Sequence, residues 1–487
     1  MSIPVLPCYV ANRPLQTDDR LPVRDKYHGM TRWEVSRADA ALMESAIAGA
    51  VQAAPAMARM RPHARRAILR HCLGRLREQA ASLAAILVQE GGKPLTAARA
   101  EVERLLCTFE LAAEEAGRPA GAFHDLRGSL LSGETLAFER RFPVGPCAFI
   151  TPFNFPLNLV AHKVAPALAV GCPFVLKPAS NTPVSALMLG EILAETDLPP
   201  GAFSIVPGTR EAANALVEDE RLRFLSFTGS AAVGWDLKAR AGKKRVTLEL
   251  GGNAACIVAA DADLERAIPR IVQGGFGNSG QSCISVQRIL VHRSLESAFR
   301  ERLLVAVSAL TVGDQAHEDT VVGPLIDEDE AIRLEKWIAA AQARGARVLC
   351  GGHRQGAVFS PTILEAVPED CPIWAEEAFG PVVVIRAFSH FDEALAIVNA
   401  SRYGLQAALF TDRMPHILQA WESLEVGAVV VNEAPSFRAD AMPYGGVKDS
   451  GLGREGVRSA MAEMTEPRLL VLPHTAEAAA PEAHPSV

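Results

Sequence analysis

Apolar side chains recur at helical spacing between residues 35 and 118, most clearly through 64–77 and 81–89. Ala, Leu, Glu and Arg dominate there, so the stretch predicts helices. The texture changes at residues 135–139 and after Pro143, where short strand-like runs begin. Residues 147–151 lead into Pro-Phe-Asn-Phe-Pro. From there to Gly251 the two patterns alternate. Strands are expected at 173–177, 201–206, 224–227 and 246–249, and helices at 183–196, 211–217 and 232–241. Ser180 and Asn181 are candidate caps for the first of these helices. Such alternation implies an α/β fold with a parallel, doubly wound sheet.

The alternation then starts again. Strands are expected at 255–258, 287–292, 347–350 and 382–388, and helices at 264–276, 295–309 and 392–401. Two α/β domains follow from this, one built from residues 1–124 with 144–251 and the other from 252–448. The strand-like runs at 125–143 and 464–474 fit neither. Leu469 to Leu472 is a flat apolar run, and left as a bare edge it would invite aggregation, so these pieces are read as an oligomerisation arm covered by a second copy of the chain. A homodimer and a homotetramer are both compatible with that. The Ala/Pro/Glu-rich end, 475–487, is expected to be disordered.

Composition narrows the class. A chain of 487 residues exceeds one compact core. A formal net charge of -7 argues against a nucleic-acid binder, which needs a concentrated positive surface. No basic leader with an apolar core opens the sequence, and no apolar run is long enough for a bilayer, so a cytoplasmic protein without membrane contact is expected. The nine cysteines include no Cys-x-x-Cys pair, which argues against a disulfide framework and against a structural metal.

One cysteine stands in a distinctive context. Gly280-Gln281-Ser282-Cys283-Ile284 follows a Gly/Asn/Ser-rich stretch and precedes a strand, a small and polar setting that lets a ligand approach a thiol. Taken alone, an inert buried thiol is the default reading. Three other segments bear on it. Glu249 is a lone carboxylate in an apolar strand before paired glycines, so it pairs, holds a proton or acts as a base with a raised pKa. Asn154 is fixed between Phe153 and Phe155 and between two prolines. Phe227-Thr228-Gly229-Ser230 follows a strand and opens a helix, a backbone-and-hydroxyl site for phosphate.

Pro152–Pro156, Lys177–Ser180, Phe227–Ser230, Glu249–Asn253, Gly280–Cys283, Glu376–Pro381 and Pro443–Gly446, in that order, resemble the motif series of the aldehyde dehydrogenase superfamily. The resemblance runs from about residue 35 to about residue 472. It implies a Rossmann-type cofactor domain, an α/β catalytic domain and a β oligomerisation arm. It also implies NAD(P)-dependent oxidation of an aldehyde to the acid through a thioester. Cys283 corresponds to the nucleophile, Asn154 and the Cys283 backbone N–H to the oxyanion hole, and Glu249 to the base. Lys177 corresponds to a ligand of the adenosine ribose and Ser230 to a pyrophosphate contact. Glu377 and Phe379 correspond to the residues holding the nicotinamide ribose and ring. Thr151, Pro152, Phe153, Ser180, Phe227, Thr228, Gly229, Leu250 and Gly251 complete the cofactor set. No metal is implied.

Two departures refine this. Relatives preferring NAD often carry Glu where this chain has Ser180, and a neutral side chain there no longer repels a 2′-phosphate, so NAD and NADP both stay open, with Arg210 a candidate phosphate partner. Relatives acting on phosphorylated aldehydes often carry Arg where this chain has Ser282. By resemblance Arg104, Phe155, Leu159, His162, Ile284, Phe437, Arg438 and Tyr444 line the substrate pocket. Arg104 or Arg438 is expected to receive an anionic or hydroxylated tail, although by default Arg104 pairs in solvent with neighbouring Glu103. Gly453–Gly456 and Met464–Pro467 resemble the lactaldehyde, semialdehyde and glyceraldehyde-type branch, so the expected substrate is a small polar or anionic aldehyde. Two alternatives stand beside this reading, a cysteine hydrolase or acyltransferase without redox chemistry and a non-catalytic binding protein of the same fold.

Overall fold

The computed structural model describes residues 3–118, 121–128 and 135–472. The expected tail at 475–487 lies outside them.

Two large sheets organise the chain. The first runs, edge to edge, Gly451–Leu452, Arg245–Glu249, Phe224–Thr228, Cys147–Ile150, Phe174–Lys177, Phe203–Ile205, Cys8–Val10 and Arg13–Leu15. Its five central strands are parallel, as the alternation predicted. They are apolar almost throughout because both faces are covered. Phe149, Phe174, Leu176 and Phe203 pack against helices that include Pro62–Glu78, Leu95–Glu115, Asn158–Val170 and Val184–Ala194. Ala148, Val175, Leu225 and Phe227 point the other way, toward Ala40–Arg59, Arg210–Glu218 and Ala231–Arg240.

The second sheet runs Arg347–Cys350, Thr362–Glu365, Val382–Phe388, Val286–His292, Ala254–Val258, Gln406–Phe410 and Ala428–Val431, all parallel except the first pair. Leu264–Phe276 and Glu296–Ser308 cover one face, Glu328–Gln342 and Phe391–Asn399 the other. A third, three-stranded sheet pairs Thr465–Leu472 with Leu136–Pro143 over eight residues, and Gly121–Asp125 lies beyond. Leu469, Leu470, Val471 and Leu472 are exposed along its edge. No helix among the described residues is long and apolar enough to cross a membrane.

Several elements differ from the sequence reading. Residues 35–39 are not helical, since a strand spans Thr31–Ser36 and the first helix begins at Ala40. Five short N-terminal strands, with Pro7 between the first two and Pro14 and Pro22 inside the third and fourth, carried no clear period. Ser180 and Asn181 are exposed and do not cap the following helix, which starts at Val184. Buried Glu90 takes that role, accepting from the Val184 and Ser185 N–H groups at 2.7 and 3.0 Å. A carboxylate brought in from another helix satisfies donors that the local hydroxyl is too far back along the chain to reach.

Candidate active site

The carboxyl ends of the parallel strands in the first sheet supply one wall of a crevice. Thr151 follows Cys147–Ile150, Lys177 ends Phe174–Lys177, Gly229 and Ser230 follow Phe224–Thr228, and Glu249 ends Arg245–Glu249. Strand order reverses between Cys147–Ile150 and Phe224–Thr228, the switch point at which open α/β sheets bind ligands.

The facing wall carries Cys283, on the loop between Leu264–Phe276 and Val286–His292. The loop is tightly wound. Asn278, Ser279 and Gly280 all have positive φ, and a Cβ at residue 280 would stand 2.1 Å from the Gly380 carbonyl. Holding two non-glycine residues there costs on the order of 1–3 kcal/mol each. The cost is met by fixed partners, since Ser279 Oγ donates to the Gly323 carbonyl and Gln281 Oε1 accepts from the Ile326 N–H.

Paired glycines let the walls meet. A side chain on Gly251 would come within 2.4 Å of Glu377 Oε2, and one on Gly252 within 2.2 Å of the Cys283 carbonyl. The Glu249 strand therefore runs directly into the loop that carries Cys283. Asn154 reaches it from the other side, its Nδ2 donating to the Gln281 carbonyl at 3.1 Å. Asn278, which the sequence reading did not single out, donates to the Asn154 and Gln281 carbonyls and ties the two loops.

Charge is distributed unevenly. Cys283 is half-buried, and burial pushes its thiol up to about 12, against the pull of a hydrogen bond to Tyr444 Oη at 3.2 Å. Among the described residues, neither oxygen of buried Glu249 has a hydrogen-bond partner. Burial, reinforced by the nearby charge of Glu455, raises its pKa well above the ordinary carboxylate range. Glu455 is equally buried, yet Lys163 Nζ at 2.7 Å and Arg438 Nη2 at 3.2 Å outweigh burial and bring it to about 2.

Several residues expected to hold a cofactor lie along the same crevice, whereas Phe227 and Leu250 are packed into the core. Lys177 is largely enclosed, so burial lowers its pKa, and its Nζ donates to the Pro178 carbonyl. The Thr151 hydroxyl is buried with no partner among the described residues. Ser230 is exposed at the start of Ala231–Arg240 and makes no cap hydrogen bond of its own. Glu377 accepts from the Gly252 N–H at 3.1 Å, and burial raises it to about 7. Phe379 has positive φ and meets Phe153 edge-on at 5.7 Å between centroids. Thr228 is placed differently from the expectation, its hydroxyl accepting from Lys163 rather than standing free for phosphate. A cation with no carboxylate partner among the described residues, a hydroxyl with no partner among them and an open helix N-terminus suit a dinucleotide. The Arg210 side chain lies outside what the structure describes.

The expected substrate residues divide. Ile284 and Tyr444 are buried beside Cys283, Leu159 is buried, and Phe437 is exposed. Phe155 lies under Lys93 Nζ, 3.9 Å from the ring centroid, while Lys93 pairs with Glu101 at 3.0 Å. Arg104 does not pair with Glu103 in solvent. It grips Asp440 at 2.7 and 3.3 Å, and Asp440 also binds His162 at 2.8 Å. His162 is fully buried, and burial, helped by Arg438, lowers it to about 4. Arg438 stacks on the Tyr444 ring at 3.7 Å, its side chain almost fully enclosed. Asp440, Glu455, Lys163 and Lys93 were not anticipated. The one cue in the sequence was a lysine inside the apolar window 160–176.

Comparison with known proteins agrees with this geometry. The Aldehyde dehydrogenase family profile matches residues 14–470. A 3-sulfolactaldehyde dehydrogenase of Priestia megaterium is 42% identical over 465 residues, covering 95% of this chain and 97% of that protein. The crystal structure of aldehyde dehydrogenase 21 from Physcomitrella patens, in complex with the reaction product succinate, superposes with a TM-score of 0.96 at 45% identity, over 98% of this chain and all of that one. The glyceraldehyde-3-phosphate dehydrogenase GapN of Methanocaldococcus jannaschii, complexed with NADP, does so with a TM-score of 0.90 at 38% identity, over 94% and 100%.

Proposed function

The chain belongs to the aldehyde dehydrogenase family and oxidises aldehydes with a nicotinamide cofactor, and from that premise we propose which residues do the work and on what kind of aldehyde. Cys283 is the nucleophile. Its thiolate adds to the aldehyde carbon, and Asn154 Nδ2 with the Cys283 backbone N–H receives the oxyanion that forms. When bound, the cofactor accepts the hydride that leaves this carbon. Glu249 then takes a proton from water, the hydroxide attacks the acyl carbon, and the C–S bond breaks to release the acid and the thiolate. The observation that carries this assignment is the convergence on one loop of Gly252 against the Cys283 carbonyl and Asn154 on Gln281.

Residues 1–124 with 144–251 are assigned to cofactor binding, through Lys177, Ser230, Thr151, Glu377 and Phe379, and residues 252–448 to catalysis. Ser180 is exposed and uncharged, which supports acceptance of NADP beside NAD. We assign the substrate to small aldehydes with a polar or anionic tail, received by Arg104 or Arg438. The relatives handle sulfolactaldehyde and release succinate, and an anionic tail entering here competes with Asp440 for Arg104. Self-association through the exposed edge Thr465–Leu472 belongs to the same proposal, supported by its run of four exposed apolar residues.

A panel of aldehydes offered with NAD and with NADP tests the reading by the rise in reduced nicotinamide. Activity confined to small polar or acidic aldehydes is expected, with Arg104→Ala and Arg438→Ala raising KM for the acidic ones. An unchanged KM in both variants removes the tail assignment. Mass spectrometry of Glu249→Gln quenched during turnover is expected to find the acyl group on Cys283, and acylation elsewhere removes the nucleophile.

A further inference from the structure

We propose that Tyr444 is a further catalytic residue, whose hydroxyl donates to the Cys283 sulfur, fixes its position and stabilises it as a thiolate. The inference rests on Cys283 being the nucleophile. Tyr444 is 2% exposed, and the sulfur at 3.2 Å is the hydrogen-bond partner the structure gives its hydroxyl. A ring needed for packing alone would be served better by phenylalanine, because burying a hydroxyl costs stability unless it is bonded.

The direction of the bond follows from chemistry. With the thiol protonated, either atom can donate. Once sulfur has lost its proton, the tyrosine O–H alone can. Tyr444 keeps its proton throughout, since burial and the neighbouring sulfur hold it well above the ordinary phenol range. The ring is itself held. Arg438 lies over its face at 3.7 Å, Glu455 holds Arg438 at 3.2 Å, and Lys163 holds Glu455 at 2.7 Å. A cation on the ring face withdraws electron density from the phenol and strengthens its O–H as a donor.

The site needs such a donor. Burial and the charges of Glu377 and Glu249 all oppose ionisation of Cys283. A hydrogen bond to a charged acceptor is the stronger class. In the step itself the S–H bond breaks, its electron pair stays on sulfur, and the proton passes to the Glu249 carboxylate, which gives it up to solvent before it takes another from water. As sulfur bonds to the aldehyde carbon its charge moves to the carbonyl oxygen and the Tyr444 bond weakens. It re-forms when the C–S bond breaks. Each unit by which a thiol pKa falls raises the thiolate fraction about tenfold and costs roughly threefold in nucleophilicity, a net gain of about threefold.

The test is the rate of iodoacetamide alkylation at Cys283 in the full-length, NAD-saturated enzyme, followed across about pH 6–9, where the reactive thiolate is the minor form. Tyr444→Phe is expected to slow alkylation about threefold at each pH. Replacing all four tyrosines biosynthetically by the more acidic 3-fluorotyrosine is expected to speed it. That acceleration disappears in the Tyr444→Phe background, which a packing role does not predict. Equal rates in Tyr444→Phe and the parent, or no response to fluorination, overturn the proposal, and if Tyr444→Phe does not fold the fluorinated enzyme decides alone. If Cys283→Ser still oxidises aldehydes, the nucleophile assignment and this inference fall together. If Cys283 is labelled and acylated while the rates stay equal, Tyr444 alone loses its role.

Discussion

Glu249 and Glu455 are the same side chain, each almost fully enclosed and close enough to influence one another, yet they are driven in opposite directions. Glu455 is held between Lys163 and Arg438 and stays ionised. Glu249 has no hydrogen-bonded partner among the described residues and is pushed toward its neutral form. Burial alone therefore does not decide what a carboxylate does, and the cations within bonding distance do. The paired acid is a fixed charge that anchors structure. The unpaired one binds a proton more readily than an exposed carboxylate does, the property proposed above for the base.

The largest effect expected on this contrast comes from removing the unpaired acid. Glu249→Gln is predicted to lower turnover by about 10²- to 10⁴-fold. Denaturant unfolding should show no loss of stability, because no bonded partner is abandoned. Removing the paired acid is predicted to do the reverse. Glu455→Gln leaves two buried cations uncompensated and costs about 3–5 kcal/mol by the same measurement. A Glu455→Gln protein as stable as the parent would show that Lys163 and Arg438 do not depend on this charge.

His162 extends the contrast to a base. Its folded pKa of about 4 lies below the ordinary 6.5, so below pH 6.5 the unfolded chain binds a proton that the folded chain refuses. Stability should fall as pH drops from 6.5 toward 4, by about 3 kcal/mol over the window. His162→Gln should flatten that slope, and an unaltered slope in urea melts assigns the loss to other groups. The smallest effect concerns pH and rate. The raised pKa of Glu249 predicts that kcat/KM climbs with pH as the carboxyl ionises. In whatever Glu455→Gln protein folds, that limb should move to lower pH, because the charge raising Glu249 is gone while Lys163 and Arg438 remain. A limb that stays in place would mean that Glu455 does not set it.

The alternating strands and helices were legible because parallel strands covered on both faces read as short apolar runs, as at Phe174–Lys177 and Phe224–Thr228. The crevice residues were legible because glycine, proline and lone polar residues stand out inside such runs. Side-chain pairing was not. Lys163 and Glu455 are separated by 292 positions and Arg104 and Asp440 by 336, so no local pattern joins them. The default solvent partner for Arg104 and the local cap for the helix at Val184 both gave way to a group arriving from a remote segment. Tyr444 was placed beside the pocket by its motif, but its contact with sulfur follows from a backbone path that only the folded chain defines.

The strand that ends in Glu249 has as its outer neighbour Gly451–Leu452, which binds it antiparallel and is made some two hundred residues later. A chain emerging from the ribosome can assemble the rest of the first sheet long before this border strand exists. Until then Leu248 and Glu249 sit on an open margin, and the Ser450 carbonyl that accepts from the Leu250 N–H has not been made. Competence therefore arrives as a single late event, and no nascent fragment ending before residue 451 carries a finished site.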